Sequence, residues 1–193
     1  MPKKTILLIA FLLVALVQLY VPASMILDRE AVLAQGTEYK FRTAPIDPND
    51  PFRGKYITLS FEDTTVPIVN ENDWVAGESV YALLTIDEHG FAQIQSVTKE
   101  QPADDQDFLS TTVSYVSSNG NRQLTLQYPF NRFYLEESKA PKAERVYWES
   151  LRETSQTTYA LVAISDGEAV LKDVLINGIS VRELADQSKD GND

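Results

Sequence analysis

Apolar and polar residues alternate along this chain in three successive patterns, each with its own period. The first is an uncharged run from Ile6 to Val17, preceded by Lys3 and Lys4 and first interrupted by the polar Gln18. From Thr5 to Leu27, at about 1.5 Å per residue, a helix reaches roughly the 30 Å of a hydrocarbon core. Tyr20 falls at headgroup level, and Asp28, Arg29 and Glu30 close the segment. Residues 24–35, mildly amphipathic and compatible with more helix, lead to Gly36.

Beyond Gly36 the period shortens to two, the mark of half-buried strands. Tyr39 and Phe41 alternate with Glu38, Lys40 and Arg42, and Ile57, Leu59 and Phe61 share one face of residues 56–61. Residues 80–86 and 91–97 flank the Asp87-Glu88-His89-Gly90 turn as a hairpin. Residues 112–117 and 122–128 flank Asn119-Gly120, and residues 158–164 and 169–175 flank Ser165-Asp166-Gly167. Asn177-Gly178 makes another turn before Ile179-Ser180-Val181.

The third pattern is helical. Pro141 suits a first turn, and Ala143, Val146, Tyr147 and Leu151 recur at helical spacing, with Trp148 widening the face. These residues predict one helix over residues 141–151. Residues 62–78, with Pro67 and many acidic and amide side chains, predict a loop or a short turn around Trp74. The polar residues 186–193 predict a disordered tail.

Two patches repeat at one offset. Pro51-Phe52-Arg53-Gly54-Lys55-Tyr56 is echoed by Pro129-Phe130-Asn131-Arg132-Phe133-Tyr134, and Tyr81–Ile86 by Tyr159–Ile164, both 78 residues apart. The expectation is an internal duplication, residues 36–107 and 108–185, with the halves face to face and a groove between equivalent loops. The fold class is α+β and mainly β: two diverged β-hairpin-rich halves plus one helix, preceded by an N-terminal transmembrane helix.

Residues 1–27 are read as an anchor or a signal segment. Lys3 and Lys4 keep the N-terminus in the cytoplasm by the positive-inside bias, so residues 28–185 form an extracytoplasmic domain. Val21-Pro22-Ala23 offers a competing cleavage point, but the apolar run exceeds a typical signal-peptide core and favours a retained anchor. The expected location is the bacterial cytoplasmic (inner) membrane, single-pass, with the C-terminal domain facing the periplasm or outside.

Charge narrows the partners. The chain carries −11 overall, and with no acidic residue before Asp28 the remainder carries 15 basic against 28 acidic residues, −13. Nucleic acid would be repelled, and docking on an anionic lipid surface is disfavoured by the same sign. With no cysteine there is no disulfide, thiolate metal site or cysteine nucleophile, and His89, the single histidine, lies in a turn. No metal and no cofactor is called for.

The stretch from Ala44 to Gly54 stands out because Pro45, Pro48 and Pro51 stiffen it. Such a loop presents Asp47, Asp50 and Arg53 with little entropy to lose, and Gly54 permits close approach. Asp47-Pro48-Asn49-Asp50 departs from a calcium-binding loop, since its prolines break the ligand pattern. The structural alternative is that Tyr56, Leu59 and Phe61 build a strand and Arg53 pairs with Asp47 or Asp50 to pin the loop. The functional reading sets Asp47, Asp50, Arg53, Gly54 and Tyr56 beside Arg132, Tyr134 and Glu136 of the echoed loop, lining a groove with tyrosine walls.

The same residues carry a family resemblance. Asp50-Pro51-Phe52-Arg53-Gly54-Lys55-Tyr56-Ile57-Thr58-Leu59-Ser60-Phe61 resembles the signature of the GDYXXLXY family of bacterial membrane-anchored proteins. Gly54, Tyr56 and Leu59 match, Lys55 replaces the usual aspartate, and Phe61 the usual tyrosine. The segment around Arg132, Tyr134 and Glu136 resembles a weaker second landmark. The resemblance implies no reaction, and a polytopic membrane protein as partner, since such proteins are often encoded beside one. A lysine in place of the motif aspartate removes a catalytic acid from that position. The expected function is an accessory or interaction domain for an integral membrane protein; the alternative is an envelope small-ligand binder or hydrolase using Asp50 and Glu136 in the inter-half groove.

Overall fold

The computed structural model describes residues 3–45, 56–103, 106–117, 122–153 and 155–187. Helix α1, Lys3–Gln35, is 33 residues long, with Pro22 inside it. It is long and apolar enough to cross a membrane, and its apolar side chains are exposed rather than packed in a core. The stretch after Leu27 continues this helix without a break, to within one residue of the first strand.

Twelve short strands follow: β1 Thr37–Ala44, β2 Tyr56–Thr58, β3 Ser60–Phe61, β4 Thr65–Pro67, β5 Ser79–Ile86, β6 Ala92–Thr98, β7 Phe108–Ser117, β8 Gln123–Gln127, β9 Arg132–Tyr134, β10 Thr158–Ser165, β11 Glu168–Ile176 and β12 Ile179–Ser180. Helix α2, Ala140–Arg152, separates β9 from β10, and α3, Val181–Gln187, follows β12. A 3-10 turn at Glu71–Asp73, capped by the Asn70 side chain, precedes Trp74. The fold is therefore mostly β, as the period-two pattern predicts.

The strands form two five-stranded antiparallel sheets, β12-β11-β10-β1-β3 and β4-β8-β7-β5-β6, and a two-stranded ribbon, β2-β9. The predicted hairpins are present. Asp166-Gly167 and Asn177-Gly178 both adopt positive φ, the geometry of a two-residue turn that matches strand twist. In the β5–β6 hairpin the Asp87 carboxylate accepts the N–H groups of His89 and Phe91, closing the turn from within. The 119–120 turn lies outside the described residues.

The long-range pairing was not anticipated. Apart from the hairpins and the short β1–β3 pairing, the strand pairs among the described residues join residues 36–107 to residues 108–185: β1 to β10, β5 to β7, β4 to β8 and β2 to β9. The two segments are interleaved through shared sheets rather than stacked face to face. Ser110 N–H also donates to the Gly167 carbonyl at 2.9 Å, linking the sheets and leaving a nearly closed β structure.

The core lies between the sheets and under α2. Phe41, Phe61, Tyr128 and Phe130 form an aromatic cluster with ring centroids 5.0–6.1 Å apart. The Tyr128 hydroxyl donates to the Asp63 carbonyl, satisfying its polar end. Helix α2 buries Ala143 and Tyr147, the positions its spacing selects. The short helix α3 was not predicted; it takes in Asp186 and Gln187, which the sequence reading gave to the tail, and Lys139 pairs with Asp186 at 2.8 Å.

Two local features fix how the parts meet. Gly36, between α1 and β1, has no room for a side chain: a Cβ there would lie 2.6 Å from the Val32 carbonyl oxygen and 2.9 Å from that of Ile164. Arg42 on β1 reaches Asp87 at 2.8 Å and lies 4.0 Å from the centroid of the Phe91 ring, tying β1 to the β5–β6 turn. The Phe91 N–H, with Arg42 and the His89 N–H adding to it, holds the Asp87 carboxyl below its ordinary range.

Gly36→Ala is expected to lower stability by about 1–3 kcal/mol, the usual cost of forcing a methyl into a filled space, read by denaturant unfolding. Asp87→Asn should lower the melting temperature at neutral pH. A depressed folded-state pKa gives stability that is complete above the unfolded value, about 3.9, and is lost as pH falls through the folded value. The difference in melting temperature between wild type and Asp87→Asn should therefore close in acid; a constant difference would contradict it.

Candidate functional site

The β2–β9 ribbon is where the two echoed motifs meet. Its register pairs Tyr56 with Tyr134, Ile57 with Phe133 and Thr58 with Arg132. Strand alternation turns Ile57 and Phe133 inward, 0% and 2% exposed, and turns the flanking residues outward. Packing therefore dictates the inner face. The outer face, with Tyr134 60% exposed, is not required by the core.

On that outer face the side chains touch. The Tyr56 and Tyr134 rings are 5.5 Å apart at a 55° tilt, and the Arg132 guanidinium lies 5.2 Å from the Tyr56 ring centroid. Cross-strand aromatic pairs contribute about 0.5–1.5 kcal/mol, and an exposed cation over a ring about 0.5–1 kcal/mol. The three residues thus form a pre-assembled cationic and aromatic patch. The two tyrosines, expected as opposite walls of a groove, instead stand side by side on one surface, because residues 78 apart sit opposite each other on neighbouring strands.

The remaining predicted residues fall into two groups. Asp47, Asp50, Arg53 and Gly54 lie outside the described residues. Glu136 is exposed in the turn into α2, where its backbone carbonyl accepts the N–H groups of Lys139 and Ala140 at 2.9 Å. Its carboxylate acts on Lys139, whose ammonium is held above its ordinary value chiefly by Asp186.

A cleft of about 480 Å³ opens beside the ribbon, lined among others by Arg29, Asn131, Arg132, Tyr134, Val170 and Leu171. Arg29 comes from α1, two residues past the end of the apolar run. Sequence reasoning used it only to end that run; its nearness to Arg132 depends on the seating of α1 against β10 and β11. Neither arginine has a carboxylate partner among the described residues. Among the described residues there is also no cluster of three His, Asp or Glu side chains that could hold a metal.

Sequence comparison agrees with the motif. The model of the GDYXXLXY protein family matches residues 18–174, from inside α1 to within β11. The chain belongs to the GDYXXLXY family. No curated protein and no solved structure matches it. In the GDYXXLXY signature as it stands here, the described positions divide by face. Leu59 and Phe61 are 3% and 7% exposed and belong to the core, whereas Tyr56 faces outward beside Arg132. The motif is thus partly a folding element and partly a surface.

A double-mutant cycle of Tyr56→Ala and Tyr134→Ala should return a coupling of about 0.5–1.5 kcal/mol in unfolding free energy. Additive effects would show that the rings only happen to be adjacent.

Proposed function

We propose that this protein is a single-pass, membrane-anchored accessory domain that binds an integral membrane partner through the outer face of the β2–β9 ribbon. The observation that carries the reading is the Tyr56–Tyr134–Arg132 patch: exposed, pre-assembled and unnecessary to the core. Tyrosine and arginine are enriched among the residues that dominate binding energy at interfaces, and here the Tyr56 ring already holds the Arg132 guanidinium in place. The patch lies on the solvent-facing side of a two-stranded ribbon, within reach of a macromolecular partner.

The anchor supports the same reading. Helix α1 runs unbroken from the apolar segment to Gly36, so the patch is held close to the bilayer, where a multi-pass protein would present its loops. Lys3 and Lys4 place the N-terminus in the cytoplasm and the domain on the periplasmic or outer side.

The architecture extends this proposal. Segments 36–107 and 108–185 are diverged copies that exchange strands across one structure. Three features support this: β5–β6 and β10–β11 carry β-bulges at Leu83/Leu84 and Leu161/Val162, again 78 residues apart. Each hairpin adds a strand from the other segment, β7 in one case and β1 in the other. Tyr56 and Tyr134, equivalent by the repeat, pair with each other, as residues on a pseudo-twofold axis would.

The test is in-membrane crosslinking of the full-length chain, read by mass spectrometry, with Arg132→Ala/Tyr134→Ala alongside. Wild type should retain a multi-pass membrane protein that the double variant loses, with both variants equally folded. Equal capture by the two would overturn this assignment of the surface.

A further inference from the structure

We propose that the cleft between α1 and the ribbon binds the phosphate of an anionic phospholipid headgroup, using Arg29 and Arg132. The depth of the cleft makes the first part of the case. A bilayer with a hydrocarbon core of roughly 30 Å measures about 40–45 Å with its headgroups, which leaves about 5–7 Å of polar layer on each side. Arg29 lies two residues beyond Leu27, about 3 Å further along a helix. It therefore sits within the headgroup layer, and the cleft it lines is at the same depth.

The chemistry of the lining makes the second part. Two arginines line the cleft, one from α1 and one from β9, and neither has a carboxylate partner among the described residues. A guanidinium presents paired N–H donors that match phosphate oxygens. Tyr134, Val170 and Leu171 in the same lining offer a mixed apolar and hydroxyl border suited to a glycerol backbone. Asp28 and Glu30 flank Arg29 in sequence, but a helix turns them about 100° to either side, and neither lines the cleft.

Net charge is the obvious objection, since the domain repels anionic surfaces as a whole. Screening answers it: at physiological salt the Debye length is about 8 Å, so the acidic residues far from the membrane contribute little at the cleft. The local pair of cations decides the sign of the interaction there.

This inference rests on α1 crossing the membrane but not on the partner assignment, and Arg29 separates the two, because it takes no part in the tyrosine patch. The full-length protein would be reconstituted in nanodiscs holding equal phosphatidylglycerol and phosphatidylcholine, and the lipids it retains counted by native mass spectrometry. Wild type should retain phosphatidylglycerol over phosphatidylcholine by about tenfold. Arg29→Gln and Arg132→Gln should each bring that preference toward unity, while Arg145→Gln, on an exposed position of α2, keeps it. Arg29→Gln should still capture the membrane partner. Equal retention of the two lipids by wild type, or an undiminished preference in both cleft variants, would overturn the proposal. Displacement of the lipid by millimolar inorganic phosphate would overturn the headgroup assignment in favour of a free-phosphate site. Release of the chain from membranes by alkaline carbonate would overturn the anchoring on which the inference stands.

Discussion

The contact on which the rest depends is the aromatic cluster of Phe41, Phe61, Tyr128 and Phe130. Its four rings come from β1, from the end of β3, and from the two sides of Pro129 between β8 and β9. Phe61, Tyr128 and Phe130 therefore stand where the chain leaves one sheet for another, and Phe41 ties them to β1. Phe61 closes the run that starts with β2, and Phe130 opens the run that becomes β9. Fixing those two rings against each other at 5.3 Å fixes where the ribbon strands depart and at what register they meet. The ribbon is too short to be stable alone, since an isolated two-stranded ribbon is marginal in water. Its outer face is thus positioned by packing several residues away.

That dependence explains what the sequence could and could not disclose. The three hairpins were readable because local signals specify them: alternation, a turn of Asn, Asp and Gly, and a short separation. So were α2, from its apolar spacing behind Pro141, and the inward set Ile57, Leu59 and Phe61. The β1–β10 pairing joins residues more than a hundred positions apart, such as Phe41 and Ala160, and alternation cannot name a partner. Interleaving of the two segments was invisible for the same reason. Helix α3 escaped because seven residues carry too little periodicity, and because Val181 continues the apolar alternation of Ile179 before the backbone turns helical.

The candidate surface was legible only in part. Tyr56, Arg132 and Tyr134 were found through the repeat, and the structure brings those three together. The repeat suggested opposed loops, however, whereas antiparallel pairing sets equivalent residues side by side. Arg29 carried no signal beyond its place at the end of an apolar run. Its place beside Arg132 depends on how α1 seats against β10 and β11, and Gly36 permits the close approach to β10. The absence of a Cβ lets the helix end approach the Ile164 carbonyl, so the anchor and the domain meet without a flexible spacer.

A rigid junction changes how charge acts on the domain. On a floppy tether, a body of −13 would drift from an anionic membrane and average its orientation. With α1 as the proposed anchor, the helix end would limit that drift, and only the charges within about one Debye length of the headgroups would bear on the remaining freedom. In that arrangement Arg29 and Arg132 would lie on the near side, while the Lys99–Glu78 and Arg42–Asp87 pairs largely neutralise each other elsewhere. With the distant acidic surface screened, attraction of the near cations is the term that remains. In the proposed anchored state that attraction would keep the ribbon toward the bilayer, the orientation in which Tyr56 and Tyr134 could meet the exposed loops of a neighbour in the membrane.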